Sequence, residues 1–158
     1  MNSFCKVSMM LIFILLPLAS QGHMNVFKGH VKGVVNNYTI EVFNGDEVVV
    51  VRLAEVICPS AKFGSFPCAD EAKCFLREIT LGKEVTVYFW VKDTYGRSVC
   101  EVYLPDGSSL SNLMISRGYA LQDPYYSDSV KLKKTEETAK KNKLGVWNHS
   151  SNEKSTRG

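Results

Sequence analysis

Charge of one sign is nearly absent as an excess: 19 Lys and Arg against 16 Asp and Glu leave a net +3. So small a surplus permits contact with phosphates but lacks the clustered field that strong non-specific nucleic-acid binding needs. Histidine is scarce, with residues only at 23, 30 and 149, and their separation offers neither metal-ligand nor triad spacing. Cys58, Cys68 and Cys74 lack the tight C-x2-4-C spacing and have no histidine nearby, which argues against zinc. No internal repeat or low-complexity segment interrupts the chain. One long apolar run occurs, over 7–19, and it falls short of the roughly 20 residues that a membrane-spanning helix requires.

That run follows a lone cation, Lys6, and precedes Ser20, Gln21 and Gly22. Residues 1–22 therefore read as a secretory signal peptide, removed near Ser20 or Gly22. Cys5 precedes the apolar run, so it is not placed as a lipid-modified cysteine. Removal leaves about 135 residues, the size of one domain with one core. The export reading implies a secreted or periplasmic protein without a stable membrane anchor; a monomer is expected. Cys58, Cys68, Cys74 and Cys100 then remain in an oxidising compartment, enough for two disulfides in any of three pairings.

Along the body, 26–43 and 47–56 are rich in β-branched residues, with a turn at Asn44-Gly45-Asp46. Residues 59–67, with Gly64 between two prolines, read as a loop. Asp70 opens a helix that puts Ala72, Phe75, Leu76 and Ile79 on one face, and Gly82 closes it. Strands follow over 84–91 and 98–104, then a turn at Pro105-Asp106-Gly107. Ser111 caps a short helix ended by Gly118, and a lysine-rich helix starts near Ser127 or Asp128 and stops at Gly145. Trp147 packs back on the body. The domain spans 23–147, and 148–158 is a polar, frayed tail. Five short antiparallel strands with about three helices predict an α+β fold, mainly β: a five-stranded, OB-like Greek-key barrel.

Three segments carry a resemblance: Val35-Asn36-Asn37-Tyr38-Thr39-Ile40, then Val51-Arg52-Leu53-Ala54-Glu55-Val56-Ile57-Cys58-Pro59-Ser60, then Asp93-Thr94-Tyr95-Gly96-Arg97. In this order, and with Lys143-Leu144-Gly145-Val146-Trp147 behind them, they resemble the staphylococcal nuclease (thermonuclease) family over nearly the whole mature chain. The family reads D-G-D-T in the first segment, with a calcium-ligating aspartate where this chain has Tyr38. It reads R-L-x-x-x-D-x-P-E in the second. There the phosphate-binding arginine matches Arg52, but Ile57 stands for a second calcium aspartate and Ser60 for the glutamate proposed as general base. The third segment matches a phosphate-binding arginine at Arg97 and a nucleotide-contacting tyrosine at Tyr95. Tyr125 and Tyr126 lie near family tyrosines that line the nucleotide pocket. Exported members also suggest, by resemblance, a Cys68 with Cys100 disulfide and hence Cys58 with Cys74.

The resemblance implies Ca2+, yet its ligand positions hold a phenol and a hydrocarbon, so no metal or other cofactor is expected. An unperturbed serine hydroxyl is no base near neutral pH. Glu55, two residues from Ile57, shares that residue's face if the segment is extended and is the first candidate for a displaced carboxylate. Plain alternatives stand beside these roles: Arg52 pairs with Glu55 or Glu101, Arg97 merely serves a tight turn, Tyr125 and Tyr126 are loop packing. Asn37-Tyr38-Thr39 and Asn148-His149-Ser150 match the glycosylation acceptor pattern. The leading expectation is a catalytically impaired nuclease homologue that binds nucleic acid, a nucleotide, another anionic ligand or a partner in the old cleft. An active endonuclease using relocated acids and a disulfide-stabilised interaction module are the alternatives.

Overall fold

The computed structural model describes residues 26–63 and 66–149. The predicted signal peptide and the end of the polar tail lie outside them. Among these residues the chain runs β1 (Val26–Asn36), β2 (Thr39–Phe43), β3 (Val48–Leu53), β4 (Val56–Ile57), α1 (Ser60–Phe63) and α2 (Ala69–Thr80). It continues through β5 (Glu84–Lys92), β6 (Ser98–Tyr103), α3 (Leu110–Ser116), β7 (Leu121–Gln122), α4 (Val130–Lys141) and α5 (Val146–His149).

Five strands close a barrel in the order β1-β2-β3-β6-β5, and β1 pairs with both β2 and β5 to seal it. Irregularities at Val31/Gly33 and Val34/Asn36 let the long first strand bend between its two partners. The expected α+β barrel is present, with one correction: β3 and β6 run parallel. A closed ring of five strands cannot be antiparallel throughout, and with the other four pairs antiparallel β6 must run in the same direction as β3. Two further short strands, β4 and β7, make a separate antiparallel ladder.

Alternation drives the burial. Val31, Val34, Ile40, Val42, Val51, Leu53, Val85, Val87, Cys100 and Val102 face inward, and a fully buried Ile40 or Leu53 contributes about 1.5–3 kcal/mol. The α2 face holds as read, with Ala72, Leu76 and Thr80 buried and Phe75 and Ile79 packed against the same core. Two caps differ from expectation. Ser109, not Ser111, caps α3 by accepting from the Asn112 N–H, because Ser111 turns inward and donates to the Ala54 carbonyl at 2.8 Å. Ser129 caps α4. The loop read over 59–67 contains the single turn α1, and Trp147 joins a second cluster with Cys68, Leu121 and Val146.

The structure forms no disulfide among the described residues: Cys58, Cys68, Cys74 and Cys100 are free. Cys100 lies in the barrel core and Cys68 in the second cluster, so the two thiols serve different packing units. Cys74 is exposed on α2, whereas Cys58 is half-buried and accepts from the Ser60 hydroxyl at 3.1 Å. Burial pushes the Cys100 thiol up to about 12. A water-soluble thiol reagent is expected to label Cys74 at once in the native protein and Cys100 only after denaturation, read by mass spectrometry of timed digests.

The C-terminal segment locks on through backbone contact. Gly118 has φ +70, and a Cβ there would lie 2.2 Å from the Leu144 carbonyl oxygen, while Val146 N–H donates to the Gly118 carbonyl. Gly118→Ala combines a left-handed backbone with an unavoidable clash and is expected to cost about 2–4 kcal/mol, seen as a lower thermal midpoint.

Candidate nucleotide cleft

Strand register assembles the cleft. Thr39 is opposite Arg52 across β2 and β3, and the Leu53 N–H donates to the Tyr38 carbonyl at 2.9 Å. Arg52 is opposite Val99 across the parallel β3 and β6 pair, which delivers Arg97, one residue before β6, to the same end of the barrel. Three side chains distant in sequence thereby meet. The Arg52 guanidinium carbon lies 5.7 Å from the Tyr38 ring centroid and that of Arg97 lies 6.0 Å away.

Each arginine is held differently. Arg52 donates to the Val56 carbonyl at 3.2 Å and, among the described residues, forms no ion pair with Glu55 or Glu101. Arg97 is fastened by Asp93: its Nε donates to Oδ2 at 2.7 Å, and its backbone N–H donates to Oδ1 at 2.9 Å. Tyr95 N–H donates to the same Oδ1, and the Tyr95 ring lies 5.2 Å from the Arg97 guanidinium. Burial weakens the Arg97 charge, but Asp93 and the Tyr38 hydroxyl outweigh it and raise the pKa. Burial likewise lifts Asp93, yet the hydrogen bonds from Arg97 and Tyr95 and the Arg97 charge hold its carboxyl below the ordinary value. Sequence reasoning missed Asp93 as a positioning residue. The signal was an aspartate followed at i+3 by glycine and at i+4 by arginine, the pattern of an Asx-type turn.

The other candidates go elsewhere. Ile57 pairs with Leu121 and packs against the Cys68, Leu121 and Val146 cluster. Ser60 is exposed and spends its hydroxyl proton on Cys58. Glu55 is not on an extended strand, which corrects its expected face: it sits between β3 and β4 with φ 63. Its carboxylate accepts from the Ser127 hydroxyl at 2.8 Å, and its carbonyl accepts from the Asp123 N–H. Tyr125 and Tyr126, on the loop so anchored, are 90% and 75% exposed and are not brought onto either arginine.

The profile of the family described as "Staphylococcal nuclease homologue" matches residues 50–149. The chain belongs to this family. It is 30% identical over 121 residues to an "Uncharacterized endonuclease" of Escherichia coli O157:H7, covering 75% of this chain and 76% of that one. A "Micrococcal nuclease" of Shigella flexneri is 28% identical over 133 residues, covering 77% and 74%. The "Staphylococcal-like nuclease CAN1" of Arabidopsis thaliana is 28% identical over 125 residues, 77% of this chain but 38% of the plant protein.

Within this staphylococcal nuclease homologue, the residues do not fit the family's calcium. Ca2+ takes six to eight oxygen ligands. The matching positions present a phenol shared by two cations, a packed isoleucine and an exposed serine. Among the described residues no group of three or more His, Cys, Asp or Glu is placed to hold a metal ion. Two guanidiniums beside one ring instead suit an anion.

Asp93 gives the cleft a pH signature. Its folded pKa is lowered, so its contribution is whole above the ordinary value of 3.8 and is lost as pH falls through the folded value. Asp93→Asn is expected to be less stable than the parent in urea at pH 7, and the difference is expected to shrink as pH drops below that value.

Proposed function

We propose that this nuclease-family chain is a phosphate-ligand binder that holds nucleic acid or a nucleotide in the old cleft without calcium-dependent cleavage. One observation carries the reading: Tyr38 stands where the family resemblance puts a calcium aspartate, and both retained arginines lie against its ring. The guanidiniums supply charge-assisted, fork-shaped donors for phosphate oxygens, and the nearby exposed Tyr95 supplies a stacking face for a base. Metal-assisted charge stabilisation and general-base help, the latter worth about 10²–10⁴-fold, have no residue to provide them at Tyr38, Ile57 and Ser60. Glu55, the candidate of the displaced-acid alternative, is engaged by Ser127, which favours the binding reading over that alternative. The apolar segment over 7–19 supports delivery by export to a periplasm or beyond.

The test is cleavage of labelled single- and double-stranded DNA and RNA with and without calcium, paired with binding of a short single-stranded oligonucleotide. We expect no calcium-stimulated cleavage, and binding that weakens about tenfold in Arg97→Ala and in Arg52→Ala. Its log affinity should fall with log salt at a slope near −1.4, about 0.7 for each phosphate contact. Robust calcium-dependent hydrolysis by the parent protein, or binding indifferent to both arginines, overturns the reading.

A further inference from the structure

The other end of β6 carries a second concave site. Arg97 precedes the strand and Tyr103 ends it, a separation of about 20 Å at strand rise. A cavity of about 580 Å3 lies there on the outer barrel face, lined chiefly by Lys28, Glu84, Tyr88, Glu101 and Tyr103. Register explains the gathering: Tyr88 is opposite Glu101 and Thr86 opposite Tyr103, while Lys28 is opposite Thr86 on the other side of β5. Their sequence neighbours Val85, Val87, Cys100 and Val102 point into the core, so these residues project outward.

The rings of Tyr88 and Tyr103 meet at 85° with centroids 5.6 Å apart. Two rings at right angles make a corner, which suits a compact head group; a flat sugar ring prefers an open aromatic platform. Tyr103 donates to Glu101 Oε2 at 2.8 Å. That bond, burial, and the charges of Glu101 and Glu55 push the phenol up to about 12, so the hydroxyl remains protonated and its surroundings are negative. Lys28 and Glu84 approach to 3.9 Å with both side chains more than half exposed. Their charges offset each other and leave Glu101 as the uncompensated charge among the lining residues.

We propose that this corner binds an organic cation, an ammonium or guanidinium on an apolar stem, with the two tyrosine rings against the stem and head group and Glu101 neutralising the charge. The site shares no side chain with the Arg52 and Arg97 cleft, so it stands independently of the function proposed for that cleft.

The experiment is an NMR titration of the isotopically labelled protein with tetramethylammonium chloride, N-acetyl-lysine amide and N-acetyl-arginine amide, against sodium chloride and glucose as controls. Saturable shifts at Tyr88, Glu101 and Tyr103, with half-saturation at roughly millimolar concentration, are expected for at least one cation. Saturation by tetramethylammonium identifies a free small cation as the source, and saturation by the amides alone identifies a basic side chain of a peptide. Glu101→Gln keeps an acceptor for Tyr103 but removes the charge, and Tyr88→Leu keeps bulk but removes the ring; each is expected to weaken binding about fivefold. Lys28→Met is expected to tighten it about twofold, and Arg97→Ala to leave it unchanged. Responses to all three cations that match the sodium chloride or glucose control, or binding undiminished in both weakening variants, overturn the proposal.

Discussion

The cleft depends on one phenol ring shared by two guanidiniums. Like charges gathered at one barrel end repel, and three things offset that cost: the π face of Tyr38, the Asp93 carboxylate on Arg97, and the Val56 carbonyl on Arg52. Each cation–π contact contributes about 0.5–1 kcal/mol when exposed and more when dry. Arg97 lies within reach of two rings, Tyr38 and Tyr95. A second anion beside this assembly is favoured, while a divalent cation meets two positive charges and no free carboxylate. Where the family resemblance puts a calcium aspartate, Tyr38 instead supplies the ring against which the arginines rest.

The barrel makes this possible because its registers, rather than any local motif, bring the parts together. The parallel β3 and β6 pair sets Arg97 beside Arg52, and the β2 and β3 pair sets Tyr38 beside both. Behind the cleft, Glu55 closes a hydrogen-bond network through Ser127 and Asp123. Gln122 extends it to Ser127 and Ser129 and, through its backbone, to Glu136 at 2.6 Å. Glu55, two residues before Ile57, therefore organises the loop that displays Tyr125 and Tyr126.

Much of this was legible in the residues. Alternation of apolar side chains located the barrel strands, and Gly82, Gly107 and Gly118 marked turns at which the chain adopts positive φ. The order of the segments around Arg52 and Arg97, with Lys143-Leu144-Gly145-Val146-Trp147 behind them, announced the family. What escaped was tertiary. Nothing local states that β3 and β6 run parallel, since that follows from closing a ring with an odd number of strands. Ser111 resembled a cap because its spacing is right for one, but packing against Ala54 took its hydroxyl inward. Glu55 looked extended because it falls in a run, 47–56, rich in β-branched residues, whereas the reversal between β3 and β4 puts a left-handed residue there. The disulfide pairing rested on resemblance alone, and the fold places Cys68 and Cys100 in separate clusters.

The most direct measurement is calorimetric: calcium titrated into the protein alone and into the protein saturated with a short single-stranded oligonucleotide. No binding heat is expected in either titration, and the oligonucleotide affinity is expected to stay unchanged by calcium beyond its ionic strength. Stoichiometric calcium uptake with the oligonucleotide bound would contradict it, because an ion would then have found oxygen ligands that Tyr38, Ile57 and Ser60 do not provide.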